Sequence, residues 1–109
     1  MGRIIKEPIC RDRIRRISGG FGWVDHRLVR YHYVDECSHL ALSLYLFLVT
    51  VSDADGVSYW GDKAISERLK AGVEELRQAR AQLEAADVLA YDTPVWQLLH
   101  LPKRKEVRR

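Results

Sequence analysis

Apolar and polar positions along this chain change their spacing several times, and each change marks an element. "HLALSLYLFLVTV", residues 39–51, is apolar on nearly every face, interrupted by Ser43 and Thr50. It predicts a helix from Ser38 to about Ser52 that is buried on more than one side. "DADG" then signals a turn in which Gly56 is free to take positive φ, and "VSYW" follows as a short strand. A second helix is expected from about Asp62 to Lys70, stopped at Ala71-Gly72. A third runs from about Gly72 to Ala86, where Val73, Leu76, Ala79, Leu83 and Ala86 recur every three or four residues along one face. "VLAY", the tight turn "DTP" and "VWQLLHL" complete the pattern as a hairpin.

Upstream of the long helix, Gly19-Gly20 forms a joint before "FGWVDHRLVRYHYVDE". Phe21, Trp23 and Val24 suit a short extended piece, and Asp25 suits the N-cap of a helix in "HRLVRYH". The predicted class is mostly α with a small antiparallel sheet. Its order, helix-strand-helix-helix-strand-strand, is that of a winged helix. Three parts follow: a basic N-terminal arm (1–20), the folded domain (21–101) and a basic C-terminal tail (102–109).

Charge sharpens this division. Residues 1–17 hold six basic and two acidic side chains, and residues 102–109 five basic and one acidic. Residues 18–101 hold seven basic against twelve acidic, so an acidic body lies between two basic ends. At 109 residues and 47% apolar, the chain suits one small domain with a single modest core. Its longest apolar run is too short for a membrane span, which needs roughly 18–20 residues. "MGRIIKEPICRDR" has no apolar h-region, so a cytoplasmic location is expected.

"ISERLKAGVEELRQARAQLEAADVLAYD" resembles the helix-turn-helix and first wing strand of winged-helix regulators of the GntR type. The shared rhythm is a helix, a short turn, a recognition helix ending in Leu83-Glu84, and a small turn into Val88-Leu89. Asp87 stands where those families usually carry Gly, a change that Asp tolerates because it can adopt the left-handed conformation. The span from "GFGWVDHRLV" to "LHLP" is similar, in general architecture, to small winged-helix proteins that accompany transposases. It is also similar to domains of plasmid replication initiators and primosomal DnaD-type proteins. The resemblance implies DNA binding in transcription regulation, replication initiation or a mobile element.

With Leu76 at the centre of the buried face, the opposite face of the third helix carries Glu74, Arg77, Gln78, Ala81 and Ala85. Arg can pair with guanine O6/N7, Gln with adenine N6/N7 and Glu with a cytosine amino group, and alanines permit close approach. Glu74, Arg77, Gln78 and Ala81 are therefore the candidate base-contacting residues. Lys63, Lys70, Arg11, Arg13, Arg15, Arg16, Lys103, Arg104 and Lys105 are the candidate phosphate contacts. The N-terminal set has the character of a minor-groove arm.

Other features argue for plainer roles. The helix-turn-helix segment from Asp62 to Asp87 carries a net charge of −1, and "YDTPV" in the wing has no cation. Glu74 and Glu75 suit the positive end of a helix dipole, where carboxylates stabilise by about 0.3–1 kcal/mol. Trp23, Trp60 and Trp96 are expected to pack in or beside strands, and "YHY" (31–33) along a buried edge. Cys10 and Cys37 are expected to be reduced and inert. His26, His32, Cys37 and His39 lack a zinc spacing, and Asp53, Asp55 and Gly56 lack the later ligands of a calcium loop. Neither a phosphate loop nor a nucleophile elbow is present. A non-enzymatic protein is expected, without metal or cofactor.

Two functions fit. The first is a small accessory or regulatory module that binds double-stranded DNA as a homodimer, since the apolar first long helix and Leu98 and Leu99, on opposite strand faces, exceed what one small sheet can cover. The alternative is a protein-interaction or dimerisation module of the same fold within a replication or transposition complex.

Overall fold

The computed structural model describes residues 6–101. It contains α1 (Arg27–Arg30), α2 (His39–Val51), β1 (Val57–Tyr59), α3 (Asp62–Leu69), α4 (Val73–Ala85), β2 (Leu89–Asp92) and β3 (Val95–Leu98), preceded by a single 3-10 turn at Arg11–Arg13. The strands form one antiparallel sheet in the order β1-β3-β2. The fold is mostly α with a small antiparallel sheet, and its topology is winged-helix-like.

Each junction has a local cause. Ser38 caps α2 by accepting the Ala41 N–H at 3.1 Å, and its own N–H donates to Gln82 Oε1 of α4 at 2.7 Å. Asp53 Oδ1 accepts the N–H groups of Asp55 and Val57, each at 2.9 Å, so this carboxylate builds the turn into β1. Gly56 has φ +81°, and a Cβ there would lie 2.7 Å from the Leu98 carbonyl, so both conformation and space demand glycine.

Helix α3 closes where the pattern placed its end, at Lys70, which takes the left-handed conformation. Gly72 is the N-cap of α4, and its N–H donates to Glu75 Oε1 at 3.0 Å. Glu75 therefore has the structural role open to it at a helix start. At the far end of α4, Asp87 has φ 63°. The Val88 and Asp87 N–H groups donate to Leu83 and Glu84 carbonyls, a Schellman closure with Asp in the usual Gly position.

The core joins Leu44 and Leu48 of α2, Ile65 of α3, Leu76, Ala79 and Leu83 of α4, Val88, Leu89 and Trp96. Trp96 lies opposite Ser58 on one side and Tyr91 on the other. Its ring sits 4.5 Å from that of Tyr91, and its indole N–H donates to the Trp60 carbonyl at 2.8 Å. Trp60 in turn meets Phe47 edge-on at 5.0 Å.

Several expectations about the chain before α2 need correction. Residues 21–24 form no strand, and Trp23 is 76% exposed instead of packed in the core. Gly22 faces inward: a Cβ there would fall 2.6 Å from the Val49 carbonyl. The backbone rests on α2 at this glycine, and the alternation of extended chain turns Phe21 and Trp23 outward. The helix starts one residue later than expected, with His26 at its N-cap position, and the capping side chain is still Asp25, whose Oδ1 accepts the Arg27 N–H at 2.9 Å. That helix is short, ending before His32, whose φ is 63°. Tyr33 is buried, as the buried-edge reading of "YHY" expects.

Helix α2 is buried on more than one side, but His39, Ser43, Leu46 and Thr50 form a stripe toward solvent. Leu98 and Leu99 are both half-buried within the single chain, so they do not by themselves require a second copy.

The Asp25–Arg27 contact carries a pH prediction. The Arg27 guanidinium lies 2.7 Å from Asp25 Oδ2, and its hydrogen bonds hold the Asp25 carboxyl down at about 2, from an ordinary 3.8. A depressed folded-state value adds stability above the ordinary carboxylate range, and that stability disappears as pH falls from 3.8 through about 2. Thermal melting of the full chain across this window is expected to be steeper in pH than that of Asp25→Asn. Identical pH dependence in both proteins would rule out the pair as a contributor.

Candidate nucleic-acid interface

Two neighbouring arginines of α4 have opposite fates. Arg80 points inward along the sheet: its side chain is 13% exposed and Nη1 donates to Asp62 Oδ1 at 2.8 Å. Its guanidinium carbon lies 4.1 Å from the Tyr91 ring centroid and 5.1 Å from that of Trp96. An arginine held by a carboxylate over two aromatic rings fastens α3, α4 and the hairpin together. It is a structural cation, already committed and turned away from any phosphate.

Arg77, one turn earlier, is 57% exposed and has looser contacts. Its Nε is 3.7 Å from Asp62 Oδ2 and its Nη1 is 3.4 Å from Glu74 Oε2. Exposed ion pairs of this kind contribute about 0–1 kcal/mol, so an incoming base or phosphate can displace them at little cost.

The sequence-derived stripe comes together as a surface. Glu74, Arg77, Gln78, Ala81 and Ala85 are all exposed, while Leu76, Ala79 and Leu83 behind them are buried. Lys63 and Lys70 lie on α3 and at its C-cap, both exposed. Arg11, Arg13, Arg15 and Arg16 are exposed too, with Arg11 paired to Glu7 at 3.2 Å. Lys103, Arg104 and Lys105 lie outside the described residues. The hairpin turn beside α4 carries Asp92, Thr93 and Pro94, all exposed, and no cation.

Among the described residues no three histidine, cysteine or acidic side chains converge as a metal site. His32 Nδ1 instead meets Asp35 Oδ2 at 2.7 Å. Cys10 and Cys37 are free thiols, and burial pushes the Cys37 thiol up from its ordinary value. Among the described residues no helix is long and apolar enough to cross a membrane.

A second site escaped the sequence reading. Phe21, Gly22 and Trp23, Tyr45 and Val49 of α2, and Leu98 to His100 together line a groove of about 590 Å³. The turn carrying Asp53 and Asp55 closes one side, and Asp25 also lines it. Among the described residues, neither Lys nor Arg lines the groove. The legible signal was the glycine between two large aromatics, which sets the backbone close to a neighbour and splays both rings.

The chain matches no protein-family model, no curated protein and no solved structure.

Proposed function

We propose that this protein is a small DNA-binding module of winged-helix form, accessory or regulatory in role, acting in the cytoplasm as a homodimer. Helix α4 enters the major groove of double-stranded DNA, and the basic ends contact phosphates. One observation carries this reading: Glu74, Arg77, Gln78 and Ala81 share an exposed face of α4 whose opposite face is fixed in the core. A rigidly backed helix with short residues at its centre and hydrogen-bonding groups beside them suits base-edge contact. Arg77 and Gln78 supply the discriminating groups. Arg11, Arg13, Arg15 and Arg16 supply phosphate neutralisation that the acidic body lacks.

The test is a set of anisotropy titrations on duplex DNA, using selected and scrambled sequences at two salt concentrations. Arg77→Ala is expected to lower discrimination by about 1–3 kcal/mol while leaving the fold intact. Replacing Arg11, Arg13, Arg15 and Arg16 with Gln is expected to weaken all sequences alike. The same change should reduce the salt slope by roughly 0.9 for each phosphate that is no longer neutralised. Wild-type protein that binds every duplex equally at low salt would dismiss the reading role of α4.

The second reading is a protein-interaction module of the same fold in a replication or transposition complex. Phe21, Trp23 and Val24 favour it, because large apolar side chains clustered on a surface mark contact sites. On that reading Arg77→Ala leaves the biological activity unchanged.

A further inference from the structure

We propose that the groove between the 21–25 segment and the 98–100 segment is the docking site for this chain's own basic stretch, residues 102–109. The docking itself does not depend on DNA binding, whereas its consequence for nucleic-acid affinity rests on that reading.

The groove is shaped for a cation attached to an apolar stem. Phe21 and Trp23 are 73% and 76% exposed, an unusual state for rings of this size in a chain that buries Trp96 completely. Phe21, Trp23 and Tyr45 all line the groove, and aromatic rings are the groups that attract a guanidinium or ammonium. Asp53 and Asp55 stand at one side, and no Lys or Arg among the described lining residues neutralises them. Asp53 Oδ1 is committed to two backbone N–H groups, and Asp25 is committed to Arg27. The carboxylate left for an incoming cation is therefore chiefly that of Asp55, which is exposed. Val49, Leu98 and Leu99 supply apolar lining.

The occupant follows from position and charge. His100 lines the groove and Leu101 is buried, so "PKRKEVRR" sets out from the groove's own wall. Eight extended residues reach at most about 26–29 Å, ample to cross it. Five cations complement the acidic side, and Val107 is the apolar residue among them that suits the apolar lining. A segment tethered this closely has an effective concentration in the millimolar range, so modest contacts suffice. Docked there, the cations are withheld from phosphates, and a polyanion must compete for them. The basic stretch thus becomes a regulator of nucleic-acid affinity as well as a contributor to it.

The test reads the groove without DNA. Indole N–H signals of the full chain are followed by NMR, with Trp23 assigned through Trp23→Phe. Changing Lys103, Arg104, Lys105, Arg108 and Arg109 together to Gln is expected to shift the Trp23 signal and leave those of Trp60 and Trp96 in place. Asp55→Asn is expected to shift it in the same direction by a smaller amount. Adding a synthetic peptide of residues 102–109 to the Gln variant is expected to return the signal saturably. A Trp23 signal identical in wild type and Gln variant overturns the proposal. A wild-type signal that moves with protein concentration also overturns it, by assigning the groove to a second copy. Since no arm contains DNA, failure here and failure of base reading by α4 are separate results.

Discussion

Trp96→Ala is expected to lower stability by about 3–5 kcal/mol, a large share of what a domain of this size possesses. The residue is completely buried, and it belongs to the central strand of the sheet, paired on both sides. Truncation removes the ring that Tyr91 and Arg80 stack on and leaves the Trp60 carbonyl without its donor. Trp96→Phe separates these terms. It restores most of the apolar contact but not the hydrogen bond, whose loss costs about 0.5–1.5 kcal/mol. Urea titration monitored by far-UV circular dichroism measures both. A Trp96→Ala midpoint close to wild type would show that the sheet does not depend on this ring.

Arg80→Ala carries the second largest effect, about 2–4 kcal/mol, from a charge-assisted hydrogen bond together with two cation–π contacts. The comparison with Arg77→Ala is the informative one. Both substitutions remove one arginine from the same helix, and both arginines face Asp62. Arg77 is exposed and loosely paired, so its removal is expected to change stability by no more than about 0.5 kcal/mol. A double-mutant cycle of Arg80→Ala with Asp62→Asn should show coupling beyond about 0.5 kcal/mol, as residues in direct contact do. Equal effects of Arg77→Ala and Arg80→Ala on the unfolding midpoint would contradict the clamp.

The contrast between those arginines also marks how far the sequence could be read. The spacing of Leu76, Ala79 and Leu83 identified the buried face of α4, and by rotation its exposed face, because a helix obeys a fixed period. The same period placed Arg80 only as a member of the segment's charge. Its position over Tyr91 and beside Asp62 depends on packing among α3, α4 and β2, which no local pattern encodes. Asp87 was expected to be left-handed only through the resemblance to families that carry Gly there, and its φ is 63°. Lys70 was legible as the end of α3 but not as left-handed, since lysine has no propensity for that conformation.

The N-terminal segment shows the limit most clearly. Phe21, Trp23 and Val24 are strand formers by type, yet a strand needs a partner edge. The segment joins neither outer edge of the β1-β3-β2 sheet and lies instead against α2 through Gly22. Tryptophan as a residue type argued for burial. Alternation about a glycine argued for exposure, and in the folded chain the backbone contact prevailed. Beyond that glycine the groove was not legible, because its walls come from residues as far apart as Phe21, Val49 and Leu99.

Asp62 receives Arg80 on one oxygen and Arg77 on the other. Should Arg77 let go to meet a ligand, the carboxylate keeps its inner partner and no buried charge is orphaned. Scaffold and contact face are thereby uncoupled at a single side chain. A substitution at position 77 therefore leaves the Arg80–Asp62 contact beneath it whole.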